Sequence, residues 1–292
     1  MRDQAQGLRI LAPTRSSRSP VSESAAHQTP VFTVGSGKGG VGKSVLSVLL
    51  AQTLARQGHR VLLFDGAQLQ GNLHILLGVR PAAPLTSVLY GEREPESLLH
   101  PLAANLWLLP APSGAEDVYA LSALDRARLH HRLCEVYDGF DAVVLDCGAG
   151  LESAARISAG AGRATQLAVV TTPEPAALAD AYALIKIVHL QAPSLPMHVV
   201  VNRTQHPDEG QATFARLAVA ASRFLQRELS YAGCVAEHDV VRQAVRAPGS
   251  LLGLQAADCE AVAGHLWGSV THRPAVAARA PTGECGLLHR SA

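Results

Sequence analysis

The sequence carries almost no net charge: 25 Lys and Arg stand against 24 Asp and Glu, leaving +1. A chain so balanced lacks the global basic field of most nucleic-acid binders, which leaves only a local patch for that role. Its five cysteines (Cys134, Cys147, Cys234, Cys259 and Cys285) never fall at CxxC or other metal-ligand spacing, so neither a disulfide framework nor a zinc site is indicated. They read as small apolar residues in a reducing compartment. The 13 histidines also miss zincin and deaminase spacing, and read as surface or packing residues. No apolar run reaches the ~18 residues of a membrane-spanning helix. The first thirty residues lack the apolar block of a secretory signal, and Asp3 interrupts the acid-poor pattern of a transit peptide. These absences point to a cytoplasmic protein. No internal repeat is visible.

What is present is a globular composition, 48% hydrophobic and 17% charged over 292 residues, enough for one large α/β domain or two small ones. Residues 10–30 are a Pro- and Ser-rich flexible linker. Order is expected from Val31 to residue 267, with 268–292 a disordered tail. Short Val- and Leu-rich runs (Val31–Gly35, Arg60–Asp65, Leu106–Pro110, Ala142–Asp146, Leu167–Thr171 and His198–Asn202) alternate with helical segments. The latter are Ser44–Gln57, Leu121–Tyr137, Leu151–Gly160, Ala176–His189 and Gln211–Glu228. That alternation predicts an α/β fold: a doubly wound, mostly parallel sheet flanked by helices on both faces. Ligands in such folds sit at the carboxyl ends of the strands.

Gly37-Lys38-Gly39-Gly40-Val41-Gly42-Lys43-Ser44 fits the phosphate-loop pattern, between a strand and the helix that Val45 opens. Glycines let consecutive N–H groups turn inward on phosphate oxygens, and the helix adds its positive end. Lys43 is expected on the β- and γ-phosphates, and the Ser44 hydroxyl on magnesium, so the implied cofactors are ATP and Mg2+. Phe140–Asp146 is an apolar strand ending in an acid, and Asp146 is expected to hold the magnesium through water. Gly148-Ala149-Gly150 after it reads as a pliable loop. No second constellation of acid, base or nucleophile accompanies the loop, which argues against an enzyme acting on a small metabolite.

The early lysine, Lys38, makes this a P-loop NTPase that resembles the MinD/ParA family of deviant Walker A ATPases. The resemblance implies that Lys38, with Lys43 one of the two lysines expected to act in catalysis, contacts the partner subunit's ATP and that ATP drives homodimerisation. Asp65 and Asn72 keep that family's switch I spacing, with Asp65 beside the metal, but Ala67 stands where the family's water-orienting Asp does. Asn202 and Arg203 match the family's adenine-binding strand end.

Val169–Pro175, Asp180–Lys186 and Leu229–Val235 resemble its flagellar-number regulator branch, FlhG (also called FleN or YlxH). Asp3, Gln4, Ala5, Leu8 and Arg9 resemble the segment with which that branch activates the SRP-type GTPase FlhF, making 1–9 a partner-activating peptide. The resemblance runs over about residues 1–250 and is weak across 80–114. It implies a regulatory ATP switch acting through FlhF and flagellar basal-body or regulatory proteins. The branch ends in a membrane-targeting helix, and Cys259–Val270 offers Val262, Leu266, Trp267 and Val270. Without lysine it implies only weak peripheral association with the inner membrane. Two other readings remain open: a DNA-partitioning ATPase using Arg216, Arg223 and Arg227 on one helix and Arg242 and Arg246 on another, and a non-hydrolysing ATP-binding scaffold.

Alanine neither accepts a proton nor hydrogen-bonds a water, so hydrolysis is expected to be slow or absent. Gln68 or Gln70 is the fallback for placing the water. In a single-turnover assay Ala67→Asp should hydrolyse ATP at least about tenfold faster than wild type. Equal rates would remove the argument from position 67.

Overall fold

Eight strands form one sheet in the order β3-β4-β2-β5-β1-β6-β7-β8. They are β1 Val31–Ser36, β2 Val61–Asp65, β3 His100–Ala103, β4 Leu106–Leu109, β5 Ala142–Ala149, β6 Thr165–Thr171, β7 Met197–Thr204 and β8 Ser230–Ala236. All neighbours pair parallel except β3 and β4. The computed structural model describes residues 29–66, 71–111, 121–151, 157 and 165–271. The peptide at 1–9, the linker to residue 28, Ala67, Gln68, Gln70 and the tail beyond Thr271 lie outside the described residues, as does most of Leu151–Gly160.

The inner strands are apolar on both faces because helices cover both, as buried parallel strands require. Along β2, Val61 and Leu63 join one core while Leu62 and Phe64 join another on the opposite face. The first face is covered by α1 (Lys43–Arg56) and, at the end of the domain, by a helix running Ala257–Thr271. Between them in sequence come α2 (Leu73–Leu76), α3 (Thr86–Leu89), α4 (Ala123–Cys134), α5 (Pro175–Gln191), α6 (Pro207–Leu225) and α7 (Asp239–Ala244), which makes the last helix α8. α4, α5 and α6 lie on the second face, against β2, β6 and β7. The doubly wound sandwich expected from the alternation is therefore present.

Several boundaries differ from the sequence reading for physical reasons. Thr29 and Pro30, read as linker, are tied to the sheet: the Thr29 hydroxyl donates to the Phe140 carbonyl at 3.1 Å, and the Pro30 carbonyl accepts from Val143 N–H at 3.0 Å. Gly148 and Ala149 are not a loop. They extend β5, Ala149 standing opposite Ser36, and Gly150 N–H then reaches the Ser36 carbonyl at 2.9 Å. The segment Leu121–Tyr137 divides into α4 and a 3-10 turn at Glu135–Gly139. Edge strand β3 is short and mostly exposed, so it carries no apolar signal.

α8 runs to Thr271, four residues past the expected end of the domain at 267. Its last turn is anchored: the Ser269 hydroxyl donates to Gln166 Oε1 at 2.6 Å and Trp267 stacks on His59 with ring centroids 4.0 Å apart. Val262 and Leu266 are each 1% exposed, and Trp267 and Val270 pack on the same core. The apolar face considered for membrane contact is thus spent on the protein's own interior. Cys134, Cys147 and Cys259 are buried as expected, and burial pushes the Cys259 thiol up to about 12. No helix among the described residues is long and apolar enough to cross a membrane.

At the amino-terminal edge of the sheet, His265 Nε2 lies 3.0 Å from Ser230 Oγ and 3.4 Å from His198 Nδ1. The Ser230 hydroxyl can donate to the single lone pair of neutral His265 Nε2, and burial lowers the His265 pKa below 6.5. The folded state then binds fewer protons than the unfolded chain, so this contribution is present above pH 6.5 and fades as pH falls below it. Urea midpoints should drop between pH 7.5 and 5.5, and by less in His265→Gln. An equal drop in both would assign the effect elsewhere.

Candidate nucleotide-binding site

The loop after β1 curls because Gly40 and Gly42 take φ of 80° and 87°, values that L side chains rarely adopt. Packing also excludes side chains. A Cβ on Gly37 would stand 1.9 Å from the Asp180 carbonyl of α5, and one on Gly42 would stand 2.3 Å from Asn202 Nδ2. Gly39 and Gly40 face open space instead, with nothing within 4 Å of such an atom. The loop is thus walled by α5 and β7 and open on one side.

Lys43 begins α1, where its ammonium meets Asp146 of β5 at 2.6 Å. Both groups are buried, at 8% and 3% side-chain exposure. Two charges out of water are tolerable only in such close, complementary contact. Lys43 Nζ also lies 3.3 Å from Ser44 Oγ. Asp65, 1% exposed, stands beside Asp146 on the neighbouring strand and accepts Leu73 N–H at 3.1 Å. Gly71 lets the chain fold back over it, since a Cβ there would lie 2.9 Å from Asp65 Oδ2. Asn72 precedes α2 and is exposed.

Asn202, near the end of β7, donates from Nδ2 to the Val41 carbonyl at 2.8 Å, clamping the loop from its far side. Next to it opens a cavity of about 360 Å³, lined by Val45, Leu49, Asn202, Arg203, Val235 and Val241 among others. Lys43, Ser44, Asp65 and Asp146 therefore converge at the carboxyl edge of β1, β2 and β5, with Asn202 and Arg203 at the mouth of an adjoining apolar slot.

Lys38 sits apart from Lys43. It is 40% exposed and meets Glu174, which precedes α5, at 3.5 Å. The pair of cations is thus not forced together. Sequence reasoning gave no role to Glu174 or to Ser47; Ser47 lies four residues after Lys43, the spacing that puts two side chains on one face of a helix. Two of the arginines considered for DNA contact are engaged within the chain. Arg227 lies beyond α6 and donates to the carbonyls of Pro193 and Leu195, while Arg242 pairs with Asp239.

The chain matches the family described as CobQ/CobB/MinD/ParA nucleotide binding domain over residues 32–240. The chain belongs to the MinD/ParA family. Antiactivator FleN of Pseudomonas aeruginosa is 34% identical over 220 residues, covering 75% of this chain and 78% of that protein. Flagellum site-determining protein YlxH of Helicobacter pylori is 32% identical over 219 residues, covering 75% and 73%. In fold, the cell division ATPase MinD of Pyrococcus furiosus superposes with a TM-score of 0.67 at 22% identity, covering 82% of this chain and 99% of that one. MinD of Pyrococcus horikoshii, whose structure is a complex with Mg-ADP, gives 0.65 at 21% identity over 81% and 95%.

Removing one member of the Lys43–Asp146 pair leaves the other charged and buried. Asp146→Ala should lower the unfolding free energy of the nucleotide-free protein by roughly 3–5 kcal/mol, and the double change Lys43→Met with Asp146→Leu should recover much of that loss. Denaturant titration of the three proteins measures both, and additive losses would contradict a coupled pair.

Proposed function

We propose that this MinD/ParA-family chain is an ATP-operated regulatory switch acting on flagellar number or placement. The observation that carries the reading is the buried Lys43–Asp146 contact at the mouth of an open glycine loop. Lys43 Nζ rests on Asp146 beneath that loop, within a short swing of phosphates that the loop would hold. The donor set suits the cofactors. Ser44, Asp65 and Asp146 offer the hard oxygens magnesium prefers. Gly37 to Ser44 supply backbone N–H groups for a triphosphate, and Val45 and Arg203 border the slot in which Asn202 would read adenine. Bound Mg2+ would neutralise charge on the β- and γ-phosphates; the chain's own part is to hold them in place and, through Lys43, to stabilise charge in transfer.

Lys38 supports an assembled state. Exposed and only loosely engaged with Glu174, it is free to reach a triphosphate held by a second copy. Ala67 then favours a long-lived ATP state over rapid turnover. FleN and YlxH are the relatives that direct the output to the flagellum, and the resemblance of residues 1–9 to an FlhF-activating segment supplies one route.

A second contact face supports a flagellar protein partner. Leu190 on α5 and Val219 and Phe224 on α6 are 71%, 66% and 67% exposed. Lys186 lies one helical turn before Leu190, and Arg216 and Arg223 lie a turn to either side of Val219. Arg227 laces the two helix ends together. Exposed apolar residues with cations a helical turn away suit an acidic, apolar protein segment rather than bare DNA phosphate.

Size-exclusion chromatography with light scattering should show a dimer in ATP and magnesium and a monomer in ADP or without nucleotide. Lys38→Ala should remain monomeric in ATP. A wild-type monomer under saturating ATP would end the switch proposal.

A further inference from the structure

Asp146 is 2% exposed, and two donors on one face of α1 approach its Oδ1. Lys43 Nζ is 2.6 Å away; Ser47 Oγ, one helical turn on, is 3.3 Å away. Ser47 is itself fully buried at 0% exposure, and its Oγ also lies 3.1 Å from the Lys43 carbonyl oxygen. A hydroxyl has one proton, so Ser47 serves one of these two acceptors at a time. While the ammonium rests on Oδ1 the carboxylate is satisfied, and the Ser47 proton goes to the nearer helix carbonyl. That bond is a local one of the kind serine makes inside helices, and it is weakly held.

Loading the site changes this arrangement. If Lys43 turns to phosphate, as the nucleotide reading requires, the cation leaves Oδ1 and a carboxylate 2% exposed loses its strongest partner. Ser47 is the hydroxyl already in place to replace it. We infer that Ser47 is a positioning residue for Asp146: its proton shifts from the Lys43 carbonyl to Oδ1 when Lys43 departs, and so fixes the carboxylate for magnesium. Ser47 acts through Asp146 and touches neither phosphate nor metal. The helix spacing explains why a residue outside the phosphate-loop pattern takes this part, since Lys43 and Ser47 lie one turn apart on the face of α1 turned to β5. This inference rests on the nucleotide reading above.

The test measures binding of a fluorescent ATP analogue across magnesium concentrations, and again in excess chelator. It compares wild type, Ser47→Ala and Ser47→Cys; the cysteine keeps nearly the same volume in the buried site but is a weak donor. Both variants should need about tenfold more magnesium for half-saturation, and any loss of affinity in chelator should be smaller than that shift. Melting temperatures without nucleotide should stay close, because Lys43 still satisfies Asp146 there. A magnesium shift below about twofold in either variant overturns the inference, as does a matching fall in the nucleotide-free melting temperature, which would mark a general packing defect. If wild type itself shows no magnesium-dependent binding, the nucleotide reading fails first and the role of Ser47 falls with it.

Discussion

A lysine and an aspartate brought together out of water hold the centre of this fold. Lys43 arrives from the first turn of α1 and Asp146 from β5, so their 2.6 Å contact ties the loop after β1 to the strand beside it. The contact is possible only because the glycine loop is short and tight enough to start α1 directly above the β1–β5 pair. Parallel strands bring every carboxyl end to one edge of the sheet. Asp65 therefore stands next to Asp146 without further design, and Asn202 reaches the loop from two strands away on the other side. A buried pair of this kind adds little net stability by itself, since desolvation consumes most of the attraction. It does make the empty site a defined arrangement, poised for a ligand that brings several negative charges.

The two lysines of the loop are held in opposite ways. Lys43 is locked to a buried acid, whereas Lys38 rests on Glu174 in solvent, where such a contact contributes at most about 1 kcal/mol. One cation is committed to its own chain, and the other is available at small cost. Within a single turn of backbone, burial alone separates these two behaviours.

Much of this was legible in the sequence. Fully buried parallel strands leave unbroken Val and Leu runs, so β1, β2, β4, β5, β6 and β7 could be placed from residue type. The phosphate loop announced itself through glycines that the structure shows to be required by backbone angle at Gly40 and Gly42 and by close packing at Gly37. What was not legible depends on tertiary neighbours. His100–Ala103 is an exposed antiparallel edge containing Pro101, and it pairs only because β4 is there to receive it. Gly148 and Ala149 read as a turn by composition but are drawn into β5 by Ser36. Thr29 looked like linker because its anchor, the Phe140 carbonyl, lies 111 residues away. Ser47 carried no motif signal, since its importance comes from the distance to an aspartate on another element.

The course of α8 has a practical side. The helix starts near Ala236 and His238, where Asp258 meets the end of β8, and finishes beside Gln166 at the start of β6. Its final turn therefore emerges at the edge of the sheet farthest from the glycine loop. A dye or affinity handle introduced near this anchored turn would sit at the amino-terminal edge of the sheet, and would report on assembly while leaving the ligand's approach unobstructed.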